Sequence, residues 1–224
     1  MDNTTVIGFA GFSKSDIMLY FARILHLLGE NTAIIDRSTE CEIVYSVPYD
    51  PGCGNILEYR GIDIYLGLSN FPVGQLPLNY YSSVLIDLGV NPDAYKDLDY
   101  LKILFIVTDL NRHHTIPLSA WLGNLPVKPT AVRIIRDTLY GKIRPDYIDS
   151  LLKIQQVANI IASYEFPFDE REYYTRLLTQ YDDIFKFNKI PKEFKTMLID
   201  CVTEIFNKQR RDAVKALKKA QLGG

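Results

Sequence analysis

Residues 8–15 read GFAGFSKS and contain the residue types of a phosphate-binding loop. Such a loop has the pattern G-x-x-x-x-G-K-[ST]: backbone N–H groups bind phosphate oxygens, the lysine reaches the terminal phosphates, and the hydroxyl ligates Mg²⁺. Gly8, Lys14 and Ser15 fit the pattern, but Ser13 replaces its second glycine. Because a Cβ at this tight bend costs strain and space, the alternative is a strand–turn–helix that binds nothing.

Two aspartates end apolar segments that are typical of buried strands. Asp36 ends the segment AIID, and Asp87 ends the segment VLID. The carboxyl ends of parallel strands meet at one edge of a sheet, where ligands of open α/β folds bind, and carboxylates there can hold hydrated Mg²⁺. Either acid could instead cap the loop that follows its strand. Together with the loop at 8–15, the two acids favour a nucleotide and Mg²⁺ site.

Apolar runs alternate with helical patterns along most of the chain. The run 4–11 leads into a pattern over 16–30 in which apolar residues recur every three or four positions, and then into a strand over 31–36. This βαβ order predicts parallel strands. Further strands are predicted at 61–68, 82–89, 100–109, 130–137 and 158–169, and helices at 145–156, 170–185 and 191–220. The predicted fold class is α/β, with a doubly wound, mostly parallel sheet flanked by helices.

Composition and charge exclude several functional classes. The 224 residues allow one large domain or two small ones. A net charge of −2 argues against a nucleic-acid-binding protein. Cys41, Cys53 and Cys201 are widely spaced, which suits a reducing cytosol better than a disulfide framework. They do not combine with the histidines at metal-ligand spacing, so no zinc site is predicted, and the absence of a signal-peptide pattern predicts a cytoplasmic protein.

The stretch DLNRHHTIPLS, residues 109–119, follows a predicted strand. His113 and His114 lie in it without a marked nucleophile nearby, so a polar loop is predicted here in preference to a catalytic site. Trp121 is predicted to be a packing residue, with exposure on a partner surface as the alternative.

The order of these segments resembles the MinD/ParA group of P-loop ATPases. The resemblance rests on the loop at 8–15, on AIIDRS, SSVLIDLG and ILFIVTD, and on the late segment ASYEFPFDEREYY. It covers about residues 4–205. Among subgroups the chain looks closest to the divergent CpaE/TadZ-like members, which localise or organise pilus and secretion machinery.

The resemblance implies roles for individual residues. Asp36 would be the catalytic acid that orients water or metal, and Ser15 and Asp87 would hold Mg²⁺. Pro167 and Asp169 would lie beside the base. The residues that would bind ATP or ADP are Gly8, Gly11, Ser13, Lys14, Ser15, Pro167 and Asp169.

The loop departs from the family where its chemistry matters most. The family loop reads K-G-G-x-G-K-T, and its first lysine crosses the dimer to the partner's phosphates and supports hydrolysis. Phe9 stands at that position here, and Arg136 and Asp137 stand where the family has a base-reading asparagine. Cations that act on the transferring phosphoryl group contribute roughly three to five orders of magnitude in rate. We therefore expect little or no ATPase activity, whether ATP and Mg²⁺ bind or no cofactor does.

Residues 206–224 are predicted to form a basic C-terminal helix or tail beyond a MinD/ParA-like α/β domain at 1–205. The segment contains six Lys or Arg residues and one acidic residue, Asp212. An apolar face could rest on an anionic membrane, to which each basic residue contributes about 1 kcal/mol; a solvated helix is the alternative. The residues of that face are Phe206, Ala213, Val214, Leu217 and Ala220.

These expectations combine into one predicted function. The chain would be a degenerate MinD/ParA-like pseudo-ATPase, acting as a dimeric scaffold or positioning factor for a membrane-associated assembly such as a pilus or secretion system. Phe9 and Phe12 could make the dimer face apolar. It would act in the cytoplasm or as a peripheral protein at the inner face of the membrane. The alternative is an active ATP-binding switch ATPase with an altered P-loop, and a nucleic-acid-partitioning protein is disfavoured.

Overall fold

The computed structural model describes residues 4–49, 54–183, 185 and 187–222. Within this part of the chain eight strands form one sheet. They are β1 (Thr5–Gly11), β2 (Thr32–Asp36), β3 (Ile56–Tyr59), β4 (Ile62–Tyr65), β5 (Ser83–Gly89), β6 (Ile103–Thr108), β7 (Thr130–Thr138) and β8 (Asn159–Pro167). The helices are α1 (Ser15–Leu27), α2 (Arg112–Gly123), α3 (Pro145–Leu152), α4 (Ile154–Val157), α5 (Glu170–Asp182), α6 (Lys192–Ile205) and α7 (Arg210–Gln221).

The sheet has the strand order β3-β4-β2-β5-β1-β6-β7-β8, and β3–β4 is its antiparallel pair. Helices α1, α6 and α7 pack on one face, and α2 and α3 pack on the other. β5 and β6 are buried along their whole length because the sheet is covered on both faces, and both strands are mostly apolar. The predicted doubly wound, mostly parallel sheet is confirmed. The chain leaves β1 toward β2 on one side and returns to β6 on the other, so the carboxyl end of β1 faces the crevice in which such folds bind ligands.

Three local predictions were wrong, and one hairpin was missed. Residues 112–123 form helix α2 where a polar loop was predicted, and the predicted helix over 191–220 is two helices, interrupted near Asn207 with φ 55°. The predicted helix over 145–156 likewise breaks at Lys153, with φ 52°. The hairpin β3–β4 was not predicted; it turns at Arg60 and Gly61, both with positive φ, as a two-residue hairpin turn requires.

The predicted basic C-terminal helix, α7, packs onto the domain. Ala213, Leu217 and Ala220 are buried in the same core as α1 and α6. The apolar face that was predicted to rest on a membrane is therefore used for packing inside the domain. No helix among the described residues is both long and apolar enough to cross a bilayer.

Two cysteines, Cys41 and Cys201, have free thiols. Cys201 is buried in α6 and Cys41 is partly exposed in the segment after β2. The third cysteine of the sequence, Cys53, lies outside the described residues.

Candidate functional site at the carboxyl edge of the sheet

The turn between β1 and α1 is built around two left-handed residues. Gly11 has φ 99°, and a Cβ there would lie 2.0 Å from the Val107 carbonyl oxygen of β6, so only glycine fits the end of this strand. Ser13 has φ 56° and thus takes the conformation for which the sequence pattern has glycine. The serine therefore occupies the backbone region that glycine adopts most easily.

A carboxylate of the chain itself occupies this turn. The backbone N–H of Ser13 donates to Glu42 Oε1 at 3.0 Å, and that of Lys14 donates to Glu42 Oε2 at 3.3 Å. Lys14 Nζ lies 3.8 Å from the same Oε2. Successive N–H groups at a helix N-terminus form an anion-binding concavity. The anion bound there in this structure is Glu42.

The segment that carries Glu42, residues 38–46, is here named the strap. Its first residue, Ser38, donates from its N–H and its hydroxyl to Asp36 Oδ1, at 3.0 Å and 2.6 Å. Its last residue, Ser46, has its Oγ 2.8 Å from Ser15 Oγ and also donates to the Glu42 carbonyl oxygen. The strap therefore engages the two turn amides and the hydroxyl expected to hold Mg²⁺.

Lys14 is fully buried and points to β5. Its Nζ lies 2.9 Å from Asp87 Oδ1, which also accepts the N–H of Gly89 at 2.9 Å. Burial alone would lower the pKa of Lys14, but the attraction of Asp87, followed by that of Glu42, raises it above its ordinary value. The ammonium is therefore charged at any physiological pH.

Carboxylates outnumber this ammonium at the site. Asp36, Glu40, Glu42 and Asp87 all interact with Lys14 electrostatically. Among the described residues, Asp36 Oδ2, Glu40 Oε2 and Asp87 Oδ2 are buried oxygens without a hydrogen-bond donor. Burial raises the pKa of Asp87 to about 7 and also raises the pKa of Asp36. The neighbouring carboxylates add to this effect, and the attraction of Lys14 offsets only part of it.

This excess of acid predicts a pH dependence of stability. The free energy of unfolding should fall as pH rises from about 4 to about 7, because a carboxyl with a raised folded-state pKa binds its proton more tightly in the folded than in the unfolded chain. Urea unfolding near pH 5 and pH 7.5 would measure the difference. Asp87→Asn should reduce this difference in unfolding free energy by about 1 kcal/mol or more. Asp182→Asn, a change at an exposed residue, should leave the difference unchanged. An equal slope in all three proteins would contradict the prediction.

Arg136 of β7 contacts the turn on the side opposite to Glu42. Its buried guanidinium donates to the Ser13 carbonyl oxygen at 2.7 Å and pairs with both carboxylate oxygens of Asp16, at 2.6 Å and 2.9 Å. It also donates to Glu172 of α5 at 2.7 Å. Burial alone would raise the pKa of Asp16, but the attraction of Arg136 outweighs burial and lowers it. One side chain therefore joins β7, the turn, α1 and α5.

The remaining predicted site residues lie in different surroundings. Gly8 sits inside β1, where a Cβ would lie 2.5 Å from the Leu101 side chain, so strand packing accounts for it. Asp169 accepts the N–H groups of residues 171 and 172 and caps helix α5. Pro167 lines a separate surface pocket with the loop after β7. Ser13, Lys14, Ser15, Asp36 and Asp87, by contrast, come together at the strap.

Both aromatic residues expected at a dimer face are buried. Phe9 is completely buried and stacks on Phe105, with ring centroids 4.7 Å apart. Phe12 is nearly buried and stacks on His114 at 4.6 Å. The prediction that they form an apolar interface was wrong, because their rings fill the two sides of the sheet. Trp121 is also buried, as predicted for a packing residue.

His114 belongs to α2 and forms an ion pair with Asp109, Nδ1 to Oδ2 at 2.9 Å. The hydrogen bond that the Asp109 carboxylate accepts from the His114 ring raises the pKa of His114 above its ordinary value. The ion pair holds the His114 ring in place against Phe12, so packing accounts for both residues.

The sequence matches no protein-family model and no curated protein, but solved structures resemble the chain. The ParA family ATPase of Chlorobium tepidum has a TM-score of 0.62 and 14% identity, covering 91% of this chain and 99% of that one. A chain of the MinC:MinD cell division complex of Aquifex aeolicus has a TM-score of 0.60 and 12% identity, covering 92% and 97%. A Borrelia burgdorferi plasmid partition protein bound to AMPPNP has a TM-score of 0.55 and 14% identity, covering 96% and 99%. The fold is that of the MinD/ParA ATPases.

A MinD/ParA fold implies ATP and Mg²⁺, and the donors at this site fit them only in part. Asp36 and Asp87 offer unpartnered carboxylate oxygens, which suit Mg²⁺. The Ser15 hydroxyl and the turn amides, however, are engaged by Ser46 and Glu42. Within the described residues no three His, Cys, Asp or Glu side chains are placed to hold a metal ion together. ATP with Mg²⁺ does not fit the MinD/ParA site while the strap is in place.

Two residues that contact the turn between β1 and α1 were missed by sequence reasoning. Glu42 lies 28 residues beyond Lys14 in a segment without a helix or strand pattern, and its spacing from the loop follows no motif. Arg136 was noted as a departure from the family asparagine, but its pairing with Asp16 spans 120 positions. An arginine in the otherwise apolar segment TAVRIIRD is the signal that could have indicated an internal ion pair, since buried charges are paired.

Proposed function

We propose that this protein is a pseudo-ATPase that uses a MinD/ParA fold as a scaffold or positioning factor for a membrane-associated assembly, such as a pilus or secretion system. The observation that supports it most directly is the Glu42 carboxylate on the amides of Ser13 and Lys14. An internal anion at this position leaves the fold intact without nucleotide. The protein then works through contacts with other proteins instead of through turnover.

The charges at the site support the absence of hydrolysis. Phosphoryl transfer needs cations aimed at the transferring group, and the position of the family's trans-acting lysine is Phe9, inside the core. A triphosphate would add negative charge next to the carboxylates that surround Lys14. Two unit charges 4 Å apart repel by about 4 kcal/mol at an effective dielectric constant of 20, so each unneutralised carboxylate weakens nucleotide binding substantially.

The finer parts of the proposal concern partners. The protein acts as a homodimer in the manner of CpaE/TadZ-like proteins, with no requirement for nucleotide in the contact. The solved MinC:MinD complex, in which a protein of this fold is found with a protein partner, supports a role through protein contacts. The basic residues of α7, including Lys215, Lys218 and Lys219, provide weak, salt-sensitive attachment to an anionic membrane.

Nucleotide titration tests the proposal. Calorimetric titration of the wild-type protein with ATP and with ADP, each with Mg²⁺, is expected to give no binding heat, and ATP turnover should equal that of a Lys14→Ala variant. Light scattering after size exclusion should show the same oligomer with and without ATP and Mg²⁺. Steady turnover that Lys14→Ala abolishes, or dimerisation driven by ATP, would contradict the pseudo-ATPase.

The second candidate function is an ATP-binding switch with an altered loop. It is favoured by the positions of Lys14, Ser15, Asp36 and Asp87, which stand together at the carboxyl edge of the sheet. In that case the strap would have to leave the loop before nucleotide could enter.

A further inference from the structure

We propose that the strap, residues 38–46, is an autoinhibitory element in which Glu42 imitates a phosphate group, and that its withdrawal exposes a binding site for a phosphate-bearing ligand. This inference rests on the proposed function, because it explains how the loop is kept from nucleotide. It names a residue outside the loop motif as the inhibitor.

The contact has the geometry of anion recognition. Each carboxylate oxygen of Glu42 accepts one N–H of the turn, and the two N–H groups come from successive residues, Ser13 and Lys14. The Lys14 ammonium approaches from the floor of the turn, 3.8 Å from Oε2. Amides, helix N-terminus and lysine are the same groups that bind phosphate in a loop of this type. Glu42 uses all of them.

The strap can leave without disturbing the sheet. Its described side-chain hydrogen bonds to the loop and to β2 involve Ser38, Glu42 and Ser46. The Glu42 side chain is 25% exposed and that of Tyr45 is largely exposed, so part of the strap is already in water. Ile43 of the strap is completely buried in the core and Val44 packs against that core, so withdrawal of the whole strap costs the burial of an apolar side chain. None of the eight described strands contributes residues to it.

A pocket of about 350 Å³ adjoins the contact. It is lined on one side by the turn and the strap, including Ser13, Ser15 and Glu42, and on the other by α5, including Tyr173 and Arg176. A phosphate group that displaced Glu42 would lie next to this pocket. The rest of its ligand would then lie between the strap and α5.

Removing Glu42 should create a requirement for an external anion. Two N–H groups of the turn would lose their acceptor, and leaving donors unsatisfied is costly. Lys14 would keep Asp87 as its partner, so the cavity would retain its cation. An anion that binds the folded variant stabilises it in proportion to its concentration.

The experiment compares Glu42→Ala with wild type and with Glu204→Ala, a charge-matched change on the exposed side of α6. Inorganic phosphate and ATP with Mg²⁺ are titrated in separate calorimetric runs, and melting temperatures are recorded with and without phosphate. Glu42→Ala is expected to bind phosphate at least tenfold more tightly than the other two proteins and to melt higher as phosphate is added. Adding Lys14→Ala should remove that binding. Glu42→Gln, which keeps the shape without the charge, should lie between wild type and Glu42→Ala, and it replaces Glu42→Ala if that variant fails to fold.

The outcomes separate this inference from the pseudo-ATPase. Folded Glu42→Ala and Glu42→Gln that bind phosphate and ATP no better than wild type would overturn the inhibitory role of the strap and leave the pseudo-ATPase standing. Wild-type protein that binds phosphate as tightly as Glu42→Ala would also overturn it. ATP turnover by the wild type would overturn the pseudo-ATPase instead. A preference of Glu42→Ala for ATP over phosphate would support the inference and identify the ligand as a nucleotide.

Discussion

Replacing Arg136 by methionine is expected to lower the free energy of unfolding by about 3–5 kcal/mol, the usual cost of breaking a buried ion pair. The guanidinium is 1% exposed and compensates two carboxylates, those of Asp16 and Glu172. Methionine fills much of the volume but leaves both acids buried without this partner. It also removes the donor to the Ser13 carbonyl oxygen, so the loop should become mobile.

Chemical unfolding monitored by circular dichroism would measure this loss. Arg144→Met is the control, because Arg144 pairs with Asp146 where both side chains are about two-thirds exposed, and such surface pairs contribute about 0–1 kcal/mol. The cost of Arg136→Met should shrink toward about pH 5, since uncompensated buried carboxyls take up protons and become neutral. A loss below about 1 kcal/mol at neutral pH would mean that the network does not hold the turn.

The Arg136 network holds the turn between β1 and α1 from the side of β7. In the family that the sequence resembles, the corresponding region follows β7 and reads the base. Here Arg136 reaches back from β7 to the loop instead, and Glu42 fills the anion position from the opposite side. The loop is held by protein groups on both sides.

Sequence reasoning predicted the elements that local patterns determine. Continuous apolar runs identified the buried strands, and the alternation of strands with helices identified the doubly wound sheet. Because strand ends of a parallel sheet share one edge, the same reasoning brought Lys14, Asp36 and Asp87 together, and β2 and β5 do pair Asp36 with Asp87 in register. These residues are fixed by periodicity and strand direction alone.

The features that it missed depend on contacts between distant parts of the chain. Glu42 acts on amides 28 and 29 positions away, and its segment carries no helical or strand pattern. The break near Asn207 lies in a strongly helical pattern and exists because α7 turns back to pack on α1. Helix α2 contains Pro117, a residue that argues against a helix in any local reading. In each case tertiary packing outweighs local preference.

Replacing Phe9 by lysine, which restores the residue type of the family's first loop position, is expected to unfold the protein rather than to restore hydrolysis. Phe9 has no exposed surface and stacks on Phe105, with Phe21 at 6.2 Å. Loss of a buried ring costs about 3–5 kcal/mol, and an ammonium buried without a partner costs several more. The sum is comparable with the whole stability of a typical domain, about 5–15 kcal/mol.

Phe9→Leu separates the cost of the lost ring from the cost of the buried charge. It replaces the ring with a smaller apolar side chain, so the free energy of unfolding should fall by only about 1 kcal/mol. Circular dichroism and urea unfolding of both variants give the comparison. The gap between them should narrow as pH rises toward about 10, since burial depresses the pKa of a lysine and its neutral form is tolerated. A Phe9→Lys protein as stable as Phe9→Leu at neutral pH would show that position 9 can reach the loop surface. The expected unfolding, by contrast, would mean that the core of this chain does not admit a lysine at position 9.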